Sequence, residues 1–194
     1  MRSSLVLASC SPRRAALLTE AGFEFETVSQ RATERADVDL TLRELTLWNA
    51  VRKGMSVAQI YPDKVILAAD TLVAVDDQII GKPADFNEAI QMLRRLSGRT
   101  HQVCSAVFLY RQTTRKSVAF HEVSRVGFRP LSDAEIHDCL AKVNPLHKAG
   151  AYAAQANGSE IIVKIDGSLT NVVGLPMEKT VAVLAEFGIQ PKSR

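Results

Sequence analysis

Along this chain, short and nearly continuous apolar runs alternate with longer stretches in which apolar residues recur every three to four positions. The first pattern predicts buried strands and the second predicts amphipathic helices. Leu5 to Ala8 reads as a buried strand, and Pro12 to Ala21 as a helix with Ala15, Leu17, Leu18 and Ala21 on its apolar stripe and Gly22 as its stop. Phe23 to Val28 reads as extended. Ser29 to Thr41 is polar, mixed in charge and too poor in apolar residues for core, which predicts a long loop of the functional or mobile kind. Arg43 to Gln59 follows as a helix. Val65 to Ala69 is a continuous apolar run ending at Asp70, the pattern of a fully buried strand with a carboxylate at its C-terminal end. Leu72 to Val75 and Gln78 to Ile80 flank Asp76-Asp77, which predicts a hairpin with a tight turn.

Asp85 to Leu96 reads as a helix, with Asp85 and Glu88 at capping-box spacing, Ala89, Ile90, Leu93 and Leu96 on one side, and Gly98 after its end. Val103 to Tyr110 and Ser117 to Phe128 read as strands joined by an exposed loop over Arg111 to Lys116. Ser132 and Glu135 open a capped helix reaching about Ala141. Glu160 to Ile165 reads as a strand. Pro176 begins a last helix with Met177, Val181, Leu184 and Phe187 inward, stopped by Gly188. Helices alternating with strands, without internal repeats, predict an α/β fold with a mixed sheet.

Length changes the picture little: 194 residues suit one well-packed domain or two lobes sharing a core, and a single domain over residues 1–194 is the expectation. An apolar content of 46% beside 23% charged residues is that of a soluble globular protein rather than a disordered one. The net charge of +3 comes without a dense Lys/Arg block, so no nucleic-acid surface is expected. Cys10, Cys104 and Cys139 are odd in number and widely spaced, with no CxxC or Cys/His ligand spacing. They fit a reducing compartment and offer no zinc site. The first strand meets Ser-Pro-Arg-Arg too soon for a signal peptide or a membrane span, which predicts a cytoplasmic protein without a membrane partner.

The candidate chemistry starts where the first strand runs into Ser9-Cys10-Ser11-Pro12-Arg13-Arg14. Ser11 suits an N-cap and Pro12 a first helical position, so free backbone N–H groups and a positive helix end would face an anion there. Arg13 and Arg14 add planar donors that fit phosphate oxygens, and Ser9 and Ser11 add hydroxyls. Asp70 reads either as a catalytic carboxylate at a strand end, where open α/β sheets place reactive groups, or as a turn residue closing the strand. Glu34, in the polar loop, could join Asp70 in holding a divalent cation or simply be solvated. Lys53 and Lys82 could neutralise phosphates. Lys82 stands out because Gly81 permits an unusual backbone angle and Pro83 fixes the chain. In Lys148-Ala149-Gly150-Ala151-Tyr152, Tyr152 could pack on a base, although a tight core turn with the ring buried is the preferred reading. The four histidines lack paired metal spacing, and neither a Gly-x-Gly-x-x-Gly nor a Walker loop occurs.

Six motifs, taken in order, resemble the Maf family of nucleoside triphosphate pyrophosphatases over nearly the whole chain: Leu7 to Arg14, Ala69-Asp70-Thr71, Gly81-Lys82-Pro83, Met92 to Gly98, Lys148 to Tyr152, and Val173-Gly174-Leu175-Pro176. The resemblance implies a mixed, elongated sheet flanked by helices, with two lobes around a deep cleft, related to the inosine triphosphate pyrophosphatases and often a homodimer. It implies hydrolysis of a nucleoside triphosphate to the monophosphate and pyrophosphate with a divalent metal, Mg, Mn or Co. Asp70 matches the family's general base and Glu34 an acidic position near the metal, although relatives commonly carry a second acid before it and this chain reads Ala32-Thr33-Glu34-Arg35. Ser9, Ser11, Arg13, Arg14, Lys53 and Lys82 would bind the triphosphate. Arg13, Thr71 and Gln155 match the family's branch for dTTP and UTP, whereas the branch for 7-methyl-GTP carries Trp, Gln and Glu at these places. The dTTP/UTP branch usually reads Gly-Ile-Gln-Gly around the Gln, and here, in Ala153-Ala154-Gln155-Ala156, bulkier alanines replace the flanking glycines. The other implied readings are preference for a different nucleotide and a regulatory nucleotide-binding protein acting on septum formation.

Overall fold

The structure, a computed structural model, describes residues 4–29, 40–155 and 158–192. Most of the loop expected between Ser29 and Thr41 lies outside the described residues. Strand β1 (Leu5–Leu7) leads into helix α1 (Pro12–Glu20), and strand β2 (Glu26–Thr27) lies parallel beside β1. Ser11 takes the N-cap position of α1, but its side chain does not cap the helix as expected. Its own N–H is turned to Ser9 Oγ at 3.2 Å. Helix α2 (Leu42–Ala58) starts earlier than its apolar pattern because Thr41 and Glu44 form a capping box.

Strand β3 (Val65–Val75) pairs in parallel with β1, Leu7 opposite Leu67. Asp70 is therefore in the middle of an eleven-residue strand rather than at its end. Leu72 to Val75 is likewise the second half of β3 and not a separate strand. Nothing local stops the strand, since Thr71 is β-branched and the Asp70 carboxylate finds partners in the interior. The expected hairpin is present. Strand β4 (Gln78–Ile80) pairs antiparallel with β3, and Asp76 and Asp77 take positive φ values of 49° and 58°, a turn that matches the twist of the strands.

Helix α3 (Phe86–Leu96) is capped by Asp85, whose carboxylate accepts from the Glu88 N–H at 2.8 Å. The return bond runs from the Ala84 N–H to Glu88, one residue wider than the expected box. Strands β5 (Thr100–Arg111) and β6 (Lys116–Phe128) follow, then helix α4 (Asp133–Lys142) with a complete Ser132–Glu135 box. Two 3₁₀ turns, Pro145–His147 and Ala149–Ala151, precede helix α5 (Gly158–Ile161) and strand β7 (Ile162–Asp166), which pairs antiparallel with β6. The strand expected from Glu160 thus begins later, because Glu160 and the buried Ile161 belong to a helical turn. Helix α6 (Leu169–Val173) and helix α7 (Met177–Glu186) close the chain, with Pro176 at the N-cap of α7.

The strands form one seven-stranded mixed sheet in the order β2-β1-β3-β5-β6-β7, with β4 on β3. The chain divides into two compact units. The first comprises Met1–Asp70, Ser105–Glu122 and Gly174–Arg194, and the second Thr71–Cys104 and Val123–Val173. Val6, Ala8, Ile66 and Ala68 pack with Val57 and Ala58 of α2 in the first unit. Gly54 lets α2 approach the sheet, since a Cβ there would stand 2.5 Å from Phe108 Cδ1 and 3.2 Å from Ala68 Cβ. In the second unit Val73, Val75, Val126 and Phe128 form a core with Leu93 and Leu96 of α3 and Ile136 of α4.

Candidate functional site

In the first unit β1 ends at Leu7 while its parallel neighbour β3 continues past it. Ala8 N–H still donates to Leu67 O at 2.8 Å, so Ser9 and the start of α1 emerge beside the part of β3 that carries Asp70. Open α/β sheets bind ligands at such ends. The first turn of α1 holds Arg13 and Arg14 and no acid. Two cations at the positive end of a helix oppose its dipole, an arrangement that a bound anion relieves. Arg14 is buried, its Nε donating to Gly174 O at 2.9 Å and its guanidinium donating to Ser9 Oγ at 3.1 Å. Ser9 is buried as well and retains its own O–H as a donor. Arg13 is half-buried, and desolvation holds its pKa below the usual arginine value.

Asp70 is 4% exposed, and each of its oxygens is held by one side chain of α2. Lys53 Nζ donates to Oδ1 at 2.6 Å, and Asn49 Nδ2 donates to Oδ2 at 3.2 Å. Lys53 and Asn49 are themselves 4% and 2% exposed. Being four residues apart, they share one face of the helix and reach the same carboxylate. A buried carboxylate of this kind survives only with a charge partner and hydrogen bonds, and α2 supplies both. Lys53 thus lies on Asp70. Asn49 was not among the residues singled out from the sequence. Its signal is faint but present: with Lys53 it forms a polar pair on a buried helix face shared with Thr46, Ala50, Gly54 and Val57.

Thr71, Lys82 and Gln155 belong to the second unit. Thr71 is half-buried on β3, and Lys82 and Gln155 are exposed. Gly81 does not adopt the left-handed backbone that its place before Lys82 suggested, and a Cβ there would meet nothing within 4 Å. Its carbonyl instead accepts the Gly150 N–H at 3.1 Å, tying the Lys82 segment to the Lys148-to-Tyr152 turn. Tyr152 is 7% exposed, so its ring is a core element and not a platform for a base. Glu34, Ala156 and Asn157 lie outside the described residues. The three cysteines are free, Cys10 exposed and Cys104 and Cys139 buried. Among the described residues no group of three or more His, Cys, Asp or Glu is placed to hold a metal.

A mixed α/β sheet with an ion-paired carboxylate beside an arginine-bearing helix start defines an α/β protein equipped for a polyanionic ligand. The sequence model of the family described as Maf-like protein matches residues 4–187, and the chain belongs to that family. It is 41% identical over 189 residues to the dTTP/UTP pyrophosphatase of Bacillus pumilus, covering 97% of this chain and 99% of that protein. It is 40% identical over 190 residues to the dTTP/UTP pyrophosphatase of Bacillus velezensis, covering 98% and 100%. The dTTP/UTP pyrophosphatase of Symbiobacterium thermophilum is 42% identical over 184 residues, covering 95% and 94%. Among solved structures, the Ham1 protein of Staphylococcus aureus aligns with a TM-score of 0.47 at 14% identity, over 64% of this chain and 71% of that one.

Proposed function

We propose that this chain, acting as one Maf-type catalytic unit, hydrolyses dTTP and UTP to the nucleoside monophosphate and pyrophosphate. The observation that carries the proposal is the near-complete match to relatives bearing that name in a chain that keeps a buried, ion-paired carboxylate at Asp70. A protein that only bound triphosphate would gain from a carboxylate beside the phosphates only through a metal that screens it.

In this mechanism Asp70 orients the attacking water and takes its proton. Lys53 and Asn49 fix the carboxylate from both oxygens, so it is already aimed when substrate arrives. Arg13, Arg14, Lys82 and the hydroxyls of Ser9 and Ser11 bind the triphosphate and offset the charge that grows on the leaving pyrophosphate. Thr71 and Gln155, with Arg13, choose the base. The Gln155 amide can match the donor and acceptor of a uracil or thymine imide edge.

Asp70 also fits the chemistry of a divalent cation. It is a hard oxygen ligand, and each oxygen takes one described hydrogen bond, so each keeps a lone pair. Magnesium-type ions commonly take one or two carboxylates and complete their shell with substrate phosphates and water. We assign Asp70 and Glu34 to Mg, Mn or Co, which when bound would polarise the phosphate oxygens. The proposal extends to a cytoplasmic homodimer acting on free nucleotides, with neither nucleic acid nor membrane as partner. No described helix is long and apolar enough to cross a membrane.

Chromatography of the products from a nucleotide panel with Mg²⁺, Mn²⁺ or Co²⁺ tests the reading. UMP and pyrophosphate from UTP are expected. Orthophosphate with UDP would overturn the pyrophosphatase reading, and a preference for 7-methyl-GTP would overturn the branch. Asp70→Asn should abolish turnover and retain nucleotide binding, and full activity in that variant would remove Asp70 as the base.

A further inference from the structure

In the second unit His101 and Tyr152 form a buried polar couple, His101 Nε2 lying 2.9 Å from Tyr152 Oη. They are 1% and 7% exposed and sit in an aromatic cluster with Phe128. Edge-to-face contacts join all three rings, with centroids 4.8 Å apart for His101–Phe128, 5.4 Å for His101–Tyr152 and 4.9 Å for Phe128–Tyr152. His101 Nδ1 is buried with no hydrogen-bond partner. One polar hydrogen of the couple is left without an acceptor in either tautomer, Nδ1–H when Tyr152 donates to Nε2 and Oη–H when Nε2 donates to Tyr152.

Stability does not explain this couple. Three phenylalanine-like rings would fill the same space without an unsatisfied nitrogen, and replacing both partners of a buried hydrogen bond by apolar groups of the same shape is close to neutral. What the hydrogen bond adds is direction. Tyr152 begins the run that carries Gln155, directly after two consecutive residues in left-handed backbone, Gly150 at φ 72° and Ala151 at φ 64°. An alanine in that region is strained and is kept there by its surroundings. Two anchors hold the turn: the Gly150 N–H on Gly81 O at its start, and Tyr152 locked by His101 at its end.

We propose that the His101–Tyr152 couple is a specificity-positioning device, fixing the backbone that presents Gln155 and so taking part in the choice of base without touching it. This role rests on Gln155 being the base-reading residue. The Gln155 amide can meet the imide edge of uracil only from where its backbone presents it. Anchoring that backbone sets the distance and angle at which the exposed Gln155 side chain meets a base, and the ring three residues before it is clamped.

The test is direct competition of UTP against CTP on the full-length enzyme, which yields the ratio of kcat/KM values whatever fraction of the protein is folded. The double variant His101→Phe/Tyr152→Phe keeps the rings and deletes the couple. It should melt close to the parent and lose about fivefold to tenfold of the UTP-over-CTP ratio, the order of one directed hydrogen bond, with the loss on UTP larger in KM than in kcat. Tyr152→Phe alone, which removes a single oxygen, gives the same reading if the double variant folds poorly. Gln155→Leu should lower the ratio by itself. If Gln155→Leu leaves the ratio unchanged, Gln155 is not the reader and the device loses its object. If Gln155→Leu lowers the ratio while both His101/Tyr152 variants keep it, the positioning role is overturned and the Gln155 reading stands.

Discussion

Burial of His101 has a consequence for stability that separates it from an ordinary histidine. Desolvation lowers its pKa from 6.5 to about 4, and the rings around it, Phe128 and Tyr152, offer no charge to reverse that. Burial also raises the Tyr152 pKa, so both partners are neutral in the folded protein at neutral pH. The folded state then binds fewer protons than the unfolded one between these two values. Stability is complete above about pH 6.5, falls as the unfolded chain takes up its proton, and stops falling below about pH 4. At about 1.4 kcal/mol per unit the full effect is about 3 kcal/mol, of which about 2 kcal/mol is lost between about pH 7.5 and pH 5. Urea unfolding of the parent and of His101→Phe at several pH values isolates this contribution, because all other titrating groups cancel in the difference. The parent should lose about 2 kcal/mol more than the variant over that interval. A difference independent of pH would mean that His101 is protonated equally in both states, and would refute the buried neutral imidazole.

Three further outcomes follow from the first unit. Gly54→Ala should lower the melting temperature despite the better helix propensity of alanine. The new Cβ would fall 2.5 Å from the Phe108 ring, an overpacking cost of about 1–3 kcal/mol against about 1 kcal/mol of propensity gained, and a higher melting temperature would refute the close approach. Asn49→Leu should reduce kcat by about tenfold with little change in KM, since it frees one oxygen of the proposed base, and steady-state kinetics on UTP with parental kcat would remove Asn49 from the site. Lys53→Met should destabilise by about 3–5 kcal/mol by leaving the Asp70 charge buried with a neutral partner, and Lys53→Met/Asp70→Asn should recover much of that loss in a double-mutant cycle. Additive losses in that cycle would mean the two side chains do not interact.

Elements with their own local signals were legible in the sequence. The Ser132–Glu135 box placed α4, and Asp76-Asp77 placed the β3–β4 turn. What escaped depends on partners distant in the chain. Asp70 read as a strand end because an unpaired carboxylate inside a strand is unfavourable, and its two partners lie 17 and 21 residues earlier, on α2. Without them on view, the continuation of β3 to Val75 could not be told from a new strand. Ser11 read as a cap because its residue type and the following proline suit one, yet a neighbouring hydroxyl, Ser9 Oγ, took its N–H instead. Gly81 read as a conformational necessity, while its contribution is a carbonyl that any residue would supply. The Arg13–Arg14 pair was singled out as planar donors suited to phosphate, and its place in the first turn of α1, without an acid, adds a conflict with the helix dipole that the residue types alone did not raise.

The same conflict of charges clarifies why the proposed base needs Lys53. A carboxylate that must take a proton from water beside a triphosphate is an anion next to a polyanion, and its repulsion would weaken substrate binding where the cations of α1 are meant to favour it. Lys53 at 2.6 Å cancels the Asp70 charge at short range while leaving the oxygen lone pairs in place. Seen from the phosphates, a neutral pair then stands beside a positive helix start, so the net field attracts substrate even though a base is present. A lysine reaching into solvent could bind phosphate but could not do this, because the cancellation requires both charges to be held in fixed contact away from water. Buried ion pairs contribute little to stability by themselves. The retention of one here, in the middle of a strand, is what the proposed base requires if it is to stand beside a negative substrate.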